Sequence, residues 1–362
     1  MRHAVVGSYY ITAMQTADFH YELPVELIAQ EPPLVRGSSR MMVLERGTGL
    51  VSHKVVSDLP QFLRAGDLLV VNDTRVFPAR LLGQWQDSGG AVELLLLEQV
   101  GSDAACWRVL VGTGRRLRAG LCAVFAEGAI EAAVIERGEG GEAVVSFNVG
   151  EQLLSLLEIY GTTPLPPYIR RVAGGDHVQQ QRDRERYQTI YAAETGAVAA
   201  PTAGLHLTEE LVEKLQNMGV DLARVTLHVG PGTFKPVKSE LVEEHRMDPE
   251  RYHVCEATAE AITRCRAQGG RVVAVGSTTV RTLETVAAEN GGVVCTASGR
   301  SRLFIYPPYN FRVVDVMLTN FHLPCSTLIM MVAALAGRET VLAAYQEAVR
   351  QRYAFFSYGD CM

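Results

Sequence analysis

Four short polar segments follow apolar runs in this chain, and their side chains are of the types that move protons or bind small anions. The segments are VVNDTR (70–75), AAPTAGLHLT (199–208), LHVGPGTF (227–234) and AVGSTTVRTLE (274–284). A fifth apolar run, VVDVML, leads into TNFHLPCSTL (319–328). Folds that alternate strands and helices place their chemistry at the C-terminal ends of the strands. We therefore interpret these segments as parts of one site.

The candidates for proton transfer are one carboxyl group and three imidazoles. They are Asp73, His206, His228 and His322. Burial and neighbouring charges can shift the pKa of such groups to the value that a general acid or base needs. A single histidine is more often a hydrogen-bonded core residue than a catalytic group. The prediction therefore depends on their occurrence together.

The segments VGST and VGPG predict close contact between the backbone and a ligand. Glycine lets a ligand approach the main chain, and the free amides at a helix N-terminus attract a carboxylate or hydrogen-bond a ribose. Ser277, Thr278 and Thr279 stand where such a helix is predicted to begin. The alternative is that these hydroxyl groups only cap the helix.

The segment TNFHLPCSTL combines the end of a strand with the start of a helix. Thr319, Asn320 and His322 are predicted to face the site. Ser326 or Thr327 is predicted to cap the helix that continues as LIMMVAALAG.

The elements that must position these residues change along the chain. Between 78 and 150, short alternating runs separated by glycines predict a small antiparallel barrel or sandwich. From about residue 191, apolar strands alternate with helical stretches, which predicts a parallel α/β layer. We therefore expect a discontinuous main domain, 14–77 and 151–362, that can close as a barrel and carries an inserted β domain at 78–150. Residues 1–13 are interpreted as a disordered extension.

Charge and composition exclude several classes of protein. The formal net charge is -6, so any nucleic-acid site must be a local patch. Seven scattered cysteines without C-x-x-C spacing argue against a disulfide framework and a zinc site. The sequence has no dinucleotide-binding, P-loop, zinc-protease or serine-hydrolase motif, and no apolar run as long as a membrane span. No metal site is predicted, because His245, Asp248 and Glu250 have no second cluster of ligands to complete one.

Two segments interleave basic and aromatic residues in a way that suits a polyanion. One places Arg170 and Arg171 after Tyr168, and the other places three arginines before Tyr187 and Gln188. Arginine binds phosphate and tyrosine stacks on bases. Each segment alone is equally typical of a solvated charged loop.

Taken together, longer strings of this sequence resemble the S-adenosylmethionine:tRNA ribosyltransferase-isomerases of queuosine synthesis. The strings include GDLLVVNDTRVFPARL, PLPPYIRR, GAVAAPTAGLHLT, LHVGPGTFKPV, AVGSTTVRTLE, FIYPPYNFRVVDVMLTNFHLP and YAFFSYGDCM. They occur in order from Asp18 to the last residue. The resemblance implies a barrel-like main domain, TIM-type or irregular, with an inserted small antiparallel β-barrel domain.

The resemblance also implies an activity and its partners. The enzyme would move the ribosyl group of S-adenosylmethionine onto 7-aminomethyl-7-deazaguanine at the wobble position of a tRNA anticodon loop, giving epoxyqueuosine-tRNA, adenine and methionine. S-adenosylmethionine would be a consumed co-substrate, with no further cofactor. A cytoplasmic monomer without membrane contact is expected.

Residues for the two substrates are assigned on the same resemblance. The predicted S-adenosylmethionine contacts are Thr202, Gly204, Gly276, Ser277, Thr278, Thr279, Arg281 and Glu284. The predicted tRNA contacts are Arg75, Arg80, Arg170, Arg171, Tyr187 and Gln188.

The sequence departs from the family pattern at a few positions. They are Leu207, Asp248, Pro308 and Cys325. Cys325 stands where the family tolerates varied residues, so it is not predicted to be a nucleophile.

Two other functions compete with this one on the residues alone. A non-catalytic RNA-binding protein would use the β insertion and the arginines but leave the polar strand ends unexplained. A metabolic enzyme acting on a small anion would leave the segments of arginine and tyrosine unexplained.

Overall fold

The computed structural model describes residues 13–171, 176–234 and 236–362. Its strands are β1 (Arg40–Leu44), β2 (Val51–Val55), β3 (Leu68–Asn72), β4 (Thr74–Val76), β5 (Arg80–Trp85), β6 (Ala91–Gln99), β7 (Cys106–Gly112), β8 (Cys122–Phe125), β9 (Ile130–Arg137), β10 (Glu142–Phe147), β11 (Glu194–Ala197), β12 (Asp221–Leu227), β13 (Glu250–Val254), β14 (Val272–Val275), β15 (Ala297–Ser301) and β16 (Val316–Leu318). Its α-helices are α1 (Leu153–Tyr160), α2 (His177–Arg186), α3 (Glu209–Asn217), α4 (Glu256–Ala267), α5 (Ser277–Glu289), α6 (Thr327–Ala336) and α7 (Arg338–Arg350). Apart from Ala13, the predicted disordered extension lies outside the described residues.

Strands β5 to β10 form a closed antiparallel barrel in the order β10-β7-β6-β5-β8-β9. In β7 the side chains of Trp107, Val109 and Val111 are buried and alternate with more exposed neighbours. This alternation is what places every second side chain inside a barrel. The predicted small antiparallel β-barrel is confirmed.

The main domain is built on a second sheet with the order β15-β13-β12-β3-β14-β16. Strands β12, β3, β14 and β16 are parallel to one another. Their apolar runs are buried on both faces: Leu68 and Val70 of β3 lie in one core cluster, and Leu69 and Val71 lie in another. Helices α4 and α5 cover the first face and α3 covers the second. The mixed α/β fold is thus confirmed.

The expected TIM-type closure of the main domain is not confirmed, because the sheet has two different edges, β15 and β16. After β12 the chain returns as β13, which is antiparallel to β12 and to β15. A parallel barrel needs a helical crossover after every strand, whereas this return needs only a loop. The regular strand-helix repeat is therefore broken after β12.

The end of the chain supports the segment that follows β16. The backbones of Thr319 and Met362 exchange two hydrogen bonds of 2.8 and 2.9 Å, and Cys361 also pairs with Met41 of β1. Ser326 caps the N-terminus of α6, and its Oγ accepts a hydrogen bond from the Ile329 amide at 3.3 Å. The predicted helix cap is confirmed.

No single helix within the described ranges is long and apolar enough to cross a membrane. Helices α6 and α7 meet the length and composition for a span only as a pair, and they are bent by 116° at their junction.

Candidate active site

A cleft lies at the C-terminal ends of the parallel strands of the main sheet. It contains about 820 Å³ of empty space, including its open mouth. Its polar lining residues are Thr202, Thr233, Ser277, Thr278, Thr319, Asn320, His322, Ser326 and Ser357. Its apolar lining includes Val229, Leu323, Leu328 and Phe356. Four of the five predicted segments therefore meet here, after β11, β12, β14 and β16.

Helix α5 presents its N-terminus to this cleft. Gly276, the residue before the helix, has φ +88° and supplies no capping side chain. The first amides of a helix have no partner within the helix and carry a partial positive charge. Asn72 at the end of β3 donates a hydrogen bond of 3.0 Å to the hydroxyl of Thr278. That contact leaves the Thr278 hydroxyl proton available to a ligand.

The Asn320 side chain connects the cleft to His206 behind it. Its Nδ2 donates to the carbonyl of Phe356 at 3.0 Å and lies 3.2 Å from Nε2 of His206. A carbonyl can only accept a hydrogen bond, so the Asn320 amide must turn its NH₂ group toward Phe356 and His206. Nε2 of His206 is therefore an acceptor, and the proton of the neutral ring lies on Nδ1. Burial, with Arg36 as a second cause, lowers the pKa of His206 to about 4. His206 is therefore neutral, and it acts on the cleft only through Asn320.

His322 lines the cleft itself. Its Nε2 lies 2.9 Å from the hydroxyl of Thr319, its carbonyl accepts a short hydrogen bond from Tyr21, and its amide donates to Tyr345 at 3.2 Å. Burial lowers the pKa of this imidazole to about 3. The ring is thus neutral and has one side-chain contact, while two hydrogen bonds fix the backbone of the residue.

The other two proton-transfer candidates lie away from this cleft. His228 contacts the Thr74 hydroxyl at 2.8 Å and lines a second cleft, between the β-barrel and the main sheet. Asp73 accepts a hydrogen bond of 2.7 Å from Thr226, and burial raises the pKa of its carboxyl. Side chains alternate along a strand, so Asn72 reaches α5 while Asp73 points to the opposite face. The structure does not bring the four predicted groups together.

Comparisons with known proteins identify the family. Residues 16–362 match the sequence model of a family described as queuosine biosynthesis protein. The chain belongs to this family. It is 48% identical over 349 residues to the S-adenosylmethionine:tRNA ribosyltransferase-isomerase of Caldanaerobacter subterraneus subsp. tengcongensis, covering 96% of this chain and 99% of the relative. It is 49% identical, with the same coverage, to the protein of that name from Acetivibrio thermocellus.

A solved structure is also similar to this member of the queuosine biosynthesis family. The crystal structure of an S-adenosylmethionine tRNA ribosyltransferase from Thermotoga maritima is 37% identical, with a TM-score of 0.52. The match covers 95% of this chain and 99% of that chain.

Half of the predicted S-adenosylmethionine contacts line the cleft, namely Thr202, Gly276, Ser277 and Thr278. The other four have partners within the protein, and their assignment to S-adenosylmethionine stays a prediction. Thr279 donates to the carbonyl of Val275 at 2.7 Å, and Arg281 pairs with Glu250. Glu284 accepts hydrogen bonds from the amides of residues 312–314 at 2.9 to 3.2 Å. Gly204 packs under Tyr191, whose hydroxyl would lie 2.2 Å from an added Cβ.

For the three of these residues on α5, the reason is the burial of that helix. All residues from 277 to 287 of this helix are buried, so only its first turn reaches the cleft. The side chains one or two turns further on satisfy their polar groups inside the protein, as buried polar groups must.

The predicted tRNA contacts also divide into two groups. Arg75 and Arg170 are exposed. Arg80 and Arg171 form two-pronged ion pairs, with Glu93 at 2.7 and 2.8 Å and with Asp183 at 2.8 and 2.9 Å. These two pairs hold the protein's own elements together.

The two remaining residues predicted to contact tRNA are structural. Tyr187 is fully buried, with its ring edge-on to Tyr358. The Gln188 amide bonds to both backbone groups of Val76 at 3.0 Å. Neither side chain is placed to contact RNA.

Sequence reasoning missed one wall of the cleft. Tyr168 and Phe356 stack with ring centroids 4.4 Å apart, and the Tyr168 hydroxyl lies 2.5 Å from that of Ser357. These residues come from PLPPYIRR and from FFSYGDCM near the end of the chain. Both strings carried a signal, because each matches the family, but nothing in their patterns of residues indicated a pocket.

Metal ligands do not cluster anywhere in the part of the chain that the structure describes. Glu250, which stands near His245 and Asp248 in the sequence, is engaged by Arg281.

Proposed function

We propose that this protein transfers and isomerises the ribosyl group of S-adenosylmethionine onto 7-aminomethyl-7-deazaguanine at the wobble position of tRNA. The products are epoxyqueuosine-tRNA, adenine and methionine. The observation that carries the proposal is the match over 96% of the chain, at 48% and 49% identity, to proteins named for the transfer and isomerisation. The cleft at the strand ends supports it, because it combines a helix N-terminus and uncharged polar groups with apolar walls, as ligand sites commonly do.

S-adenosylmethionine binds with its carboxylate at the N-terminus of α5. The amides of Ser277 and Thr278 provide donors and the helix dipole favours the negative charge. The Thr278 hydroxyl, oriented by Asn72, donates to the same end of the substrate. The apolar side chains of Val229, Leu323 and Phe356 contact its uncharged parts.

The chemistry begins at the carbon next to the sulfonium. The positive sulfur acidifies the C5′ hydrogens, a base removes one, and adenine leaves from the opened ribose as it gains a proton. The amine of the modified base then attacks, and a sugar hydroxyl displaces methionine to close the epoxide. The apolar surroundings keep that amine neutral and nucleophilic.

His322 is the residue that we assign to the proton steps. Its neutral ring has a lone pair that can accept the C5′ proton. Burial lowers its pKa to about 3, which makes the ring a weaker base and makes the imidazolium that forms a stronger proton donor to the departing adenine. Asn320 and His206 position the neighbouring wall and do not take part in the transfer.

The remaining parts of the proposal concern cofactors, assembly and location. S-adenosylmethionine is a consumed co-substrate, and no other cofactor is needed for this reaction. We propose a cytoplasmic monomer, the compartment being that of its tRNA substrate. Sedimentation of the purified protein with and without tRNA tests the stoichiometry.

Adenine release tests the proposed function directly. The protein is incubated with S-adenosylmethionine and a tRNA that carries 7-aminomethyl-7-deazaguanine, and adenine and epoxyqueuosine are measured by mass spectrometry. Release that depends on this base is expected, and a tRNA with guanine at the wobble position is the control. Adenine release without tRNA would contradict the proposal and favour a small-molecule enzyme.

A further inference from the structure

The second cleft lies where the β-barrel meets the main sheet, and it is rich in arginine. It contains about 1070 Å³ of empty space, including its open mouth. Arg108 of β7 faces it from the barrel, and Arg251 of β13, Arg300 of β15 and Arg302 face it from the main domain. Four carboxylates line the same cleft, namely Glu98, Glu142, Asp248 and Glu250.

A single carboxylate on the barrel holds three of these arginines. One Glu98 oxygen lies 3.3 Å from Nε of Arg108. The other lies 2.5 Å from Nη2 of Arg300 and 3.9 Å from Nε of Arg251. Glu98 is mostly buried, at 17% exposed, whereas each of the three guanidinium groups is between 44% and 48% exposed. The arginines are therefore gathered around one point and remain open to solvent.

The strand register adds a second observation. Arg251 and Arg300 are directly opposite each other on the antiparallel pair β13 and β15. Like charges in directly opposed positions of neighbouring strands destabilise a sheet. Glu98 offsets only part of this repulsion, because its one charge serves three cations. The arrangement favours an additional anion in the cleft.

The other acids of this cleft do not change that conclusion. Glu142 lies 3.8 Å from Arg108, Asp248 lines the cleft near Gly232, and Glu250 is engaged by the buried Arg281. Arg302 is exposed, and no ion pair to it occurs among the described residues. In the ion-paired group around Glu98, three arginines therefore face two carboxylates, Glu98 and Glu142.

The second cleft adjoins the proposed active site. Val229 lines both clefts, and His228 beside it lines the second. The two clefts therefore share part of a wall.

We propose that Arg108, Arg251, Arg300 and Arg302 bind backbone phosphates of the RNA substrate, and that an RNA phosphate takes the place of Glu98 among them. This assignment rests on the proposed function for the identity of the RNA. The proposed RNA surface differs from the one predicted from the sequence. Four residues of that prediction have partners within the protein, namely Arg80, Arg171, Tyr187 and Gln188. Glu98 is the competitor for that surface.

The test measures binding of a tRNA transcript over a series of salt concentrations, without S-adenosylmethionine. Arg300→Gln and Arg251→Gln should each weaken binding about 3- to 10-fold and reduce the slope of log K against log salt by roughly 0.7 to 1. Glu98→Gln should tighten binding several-fold, because it removes the competing charge and keeps the shape. Arg115→Gln, which breaks an exposed ion pair with Asp87 on the barrel, is the matched control and should change neither quantity.

The sign of the Glu98→Gln effect separates this proposal from a structural role. If Glu98 only fastens the barrel to the main domain, Glu98→Gln will leave tRNA affinity unchanged or weaken it, and the proposal is wrong. Thermal unfolding of each variant shows whether the fold is kept, and the salt slope of Arg251→Gln provides a second test on a different side chain.

Inorganic phosphate separates a free anion from an RNA phosphate as the occupant of this cleft. A melting temperature raised by phosphate in the wild type but not in Arg300→Gln, together with unchanged tRNA affinity, would assign the cleft to a free anion and overturn the RNA assignment. If adenine is not released although tRNA binds normally, the proposed function is contradicted. The phosphate-binding surface is then still supported by the binding data.

Discussion

Arg281 of α5 and Glu250 of β13 form an ion pair that is buried on both sides, with 2% and 5% of the two side chains exposed. The second Glu250 oxygen accepts hydrogen bonds of 2.9 Å from the Gly230 amide and the Thr233 hydroxyl. Thr233 lines the proposed active site. The pair therefore connects the helix at one wall of the cleft to the loop at another.

Removing one partner of this pair should strongly destabilise the protein. Arg281→Met leaves the charge of Glu250 buried without its cation, and such changes cost about 3–5 kcal/mol. The double variant Arg281→Met, Glu250→Met should recover a large part of that loss, because neither charge remains. Urea unfolding of the single and double variants measures the coupling.

The control for this comparison of single and double variants is an exposed ion pair. Arg350→Gln disrupts an ion pair with Glu347 in which the arginine is 74% exposed, and we expect a change within about 1 kcal/mol. A double variant as unstable as the sum of its two single variants would show that the buried pair is not coupled.

His322→Asn should reduce the rate of adenine release by roughly a hundredfold or more, as expected for loss of a group that transfers protons. The substrate KM should change less, because the helix N-terminus and Thr278 remain. His228→Asn, in the other cleft, should change the rate only a few-fold. A larger loss of rate in His228→Asn than in His322→Asn would contradict the assignment.

Stability should fall in acid because two buried histidines are neutral in the fold. The pKa values of His206 and His322 are lowered from 6.5 to about 4 and about 3, so between those values and 6.5 the unfolded chain binds protons that the folded chain does not. The contribution of the two neutral histidines to the free energy of unfolding is complete above pH 6.5 and is lost as the pH falls. Each histidine adds up to about 1.4 kcal/mol per pH unit to the slope of the free energy of unfolding against pH.

His206→Gln tests the pH dependence at one residue. Its free energy of unfolding should fall less steeply than that of the wild type between pH 6.5 and pH 4.5, measured in urea at intervals of half a unit. His53→Gln is the control, since His53 is partly exposed. An equal slope in His206→Gln and the wild type would show that His206 does not carry this proton linkage.

The sequence predicted the elements better than the direction of individual side chains. Alternation in the 78–150 segment defines a barrel, because each strand buries every second residue. Polar strand ends predicted the cleft, since parallel strands end at one edge of the sheet. Asp73 was assigned to that cleft although its neighbour Asn72 already reaches Thr278. Alternation along the strand could have separated these two residues without a structure.

The partners of buried charges could not be predicted in the same way. Glu284 binds the backbone of a loop 28 to 30 residues further along the chain, and Glu98 meets Arg300 across 202 residues. Such pairs have no periodicity. Their geometry depends on how the barrel docks and on where the antiparallel return after β12 places β13.

Tyr187 and Arg170 form a pair of tests for the segment that was predicted to bind tRNA. Tyr187 has no exposed surface, so Tyr187→Phe, which keeps the ring packed against Tyr358, should leave tRNA affinity unchanged. Arg170 is exposed, so Arg170→Gln should weaken binding and reduce the salt slope by about 0.7 to 1 if its guanidinium contacts a phosphate. Filter binding at several salt concentrations measures both. Loss of tRNA affinity in a folded Tyr187→Phe protein would mean that this buried segment becomes exposed and contacts the RNA.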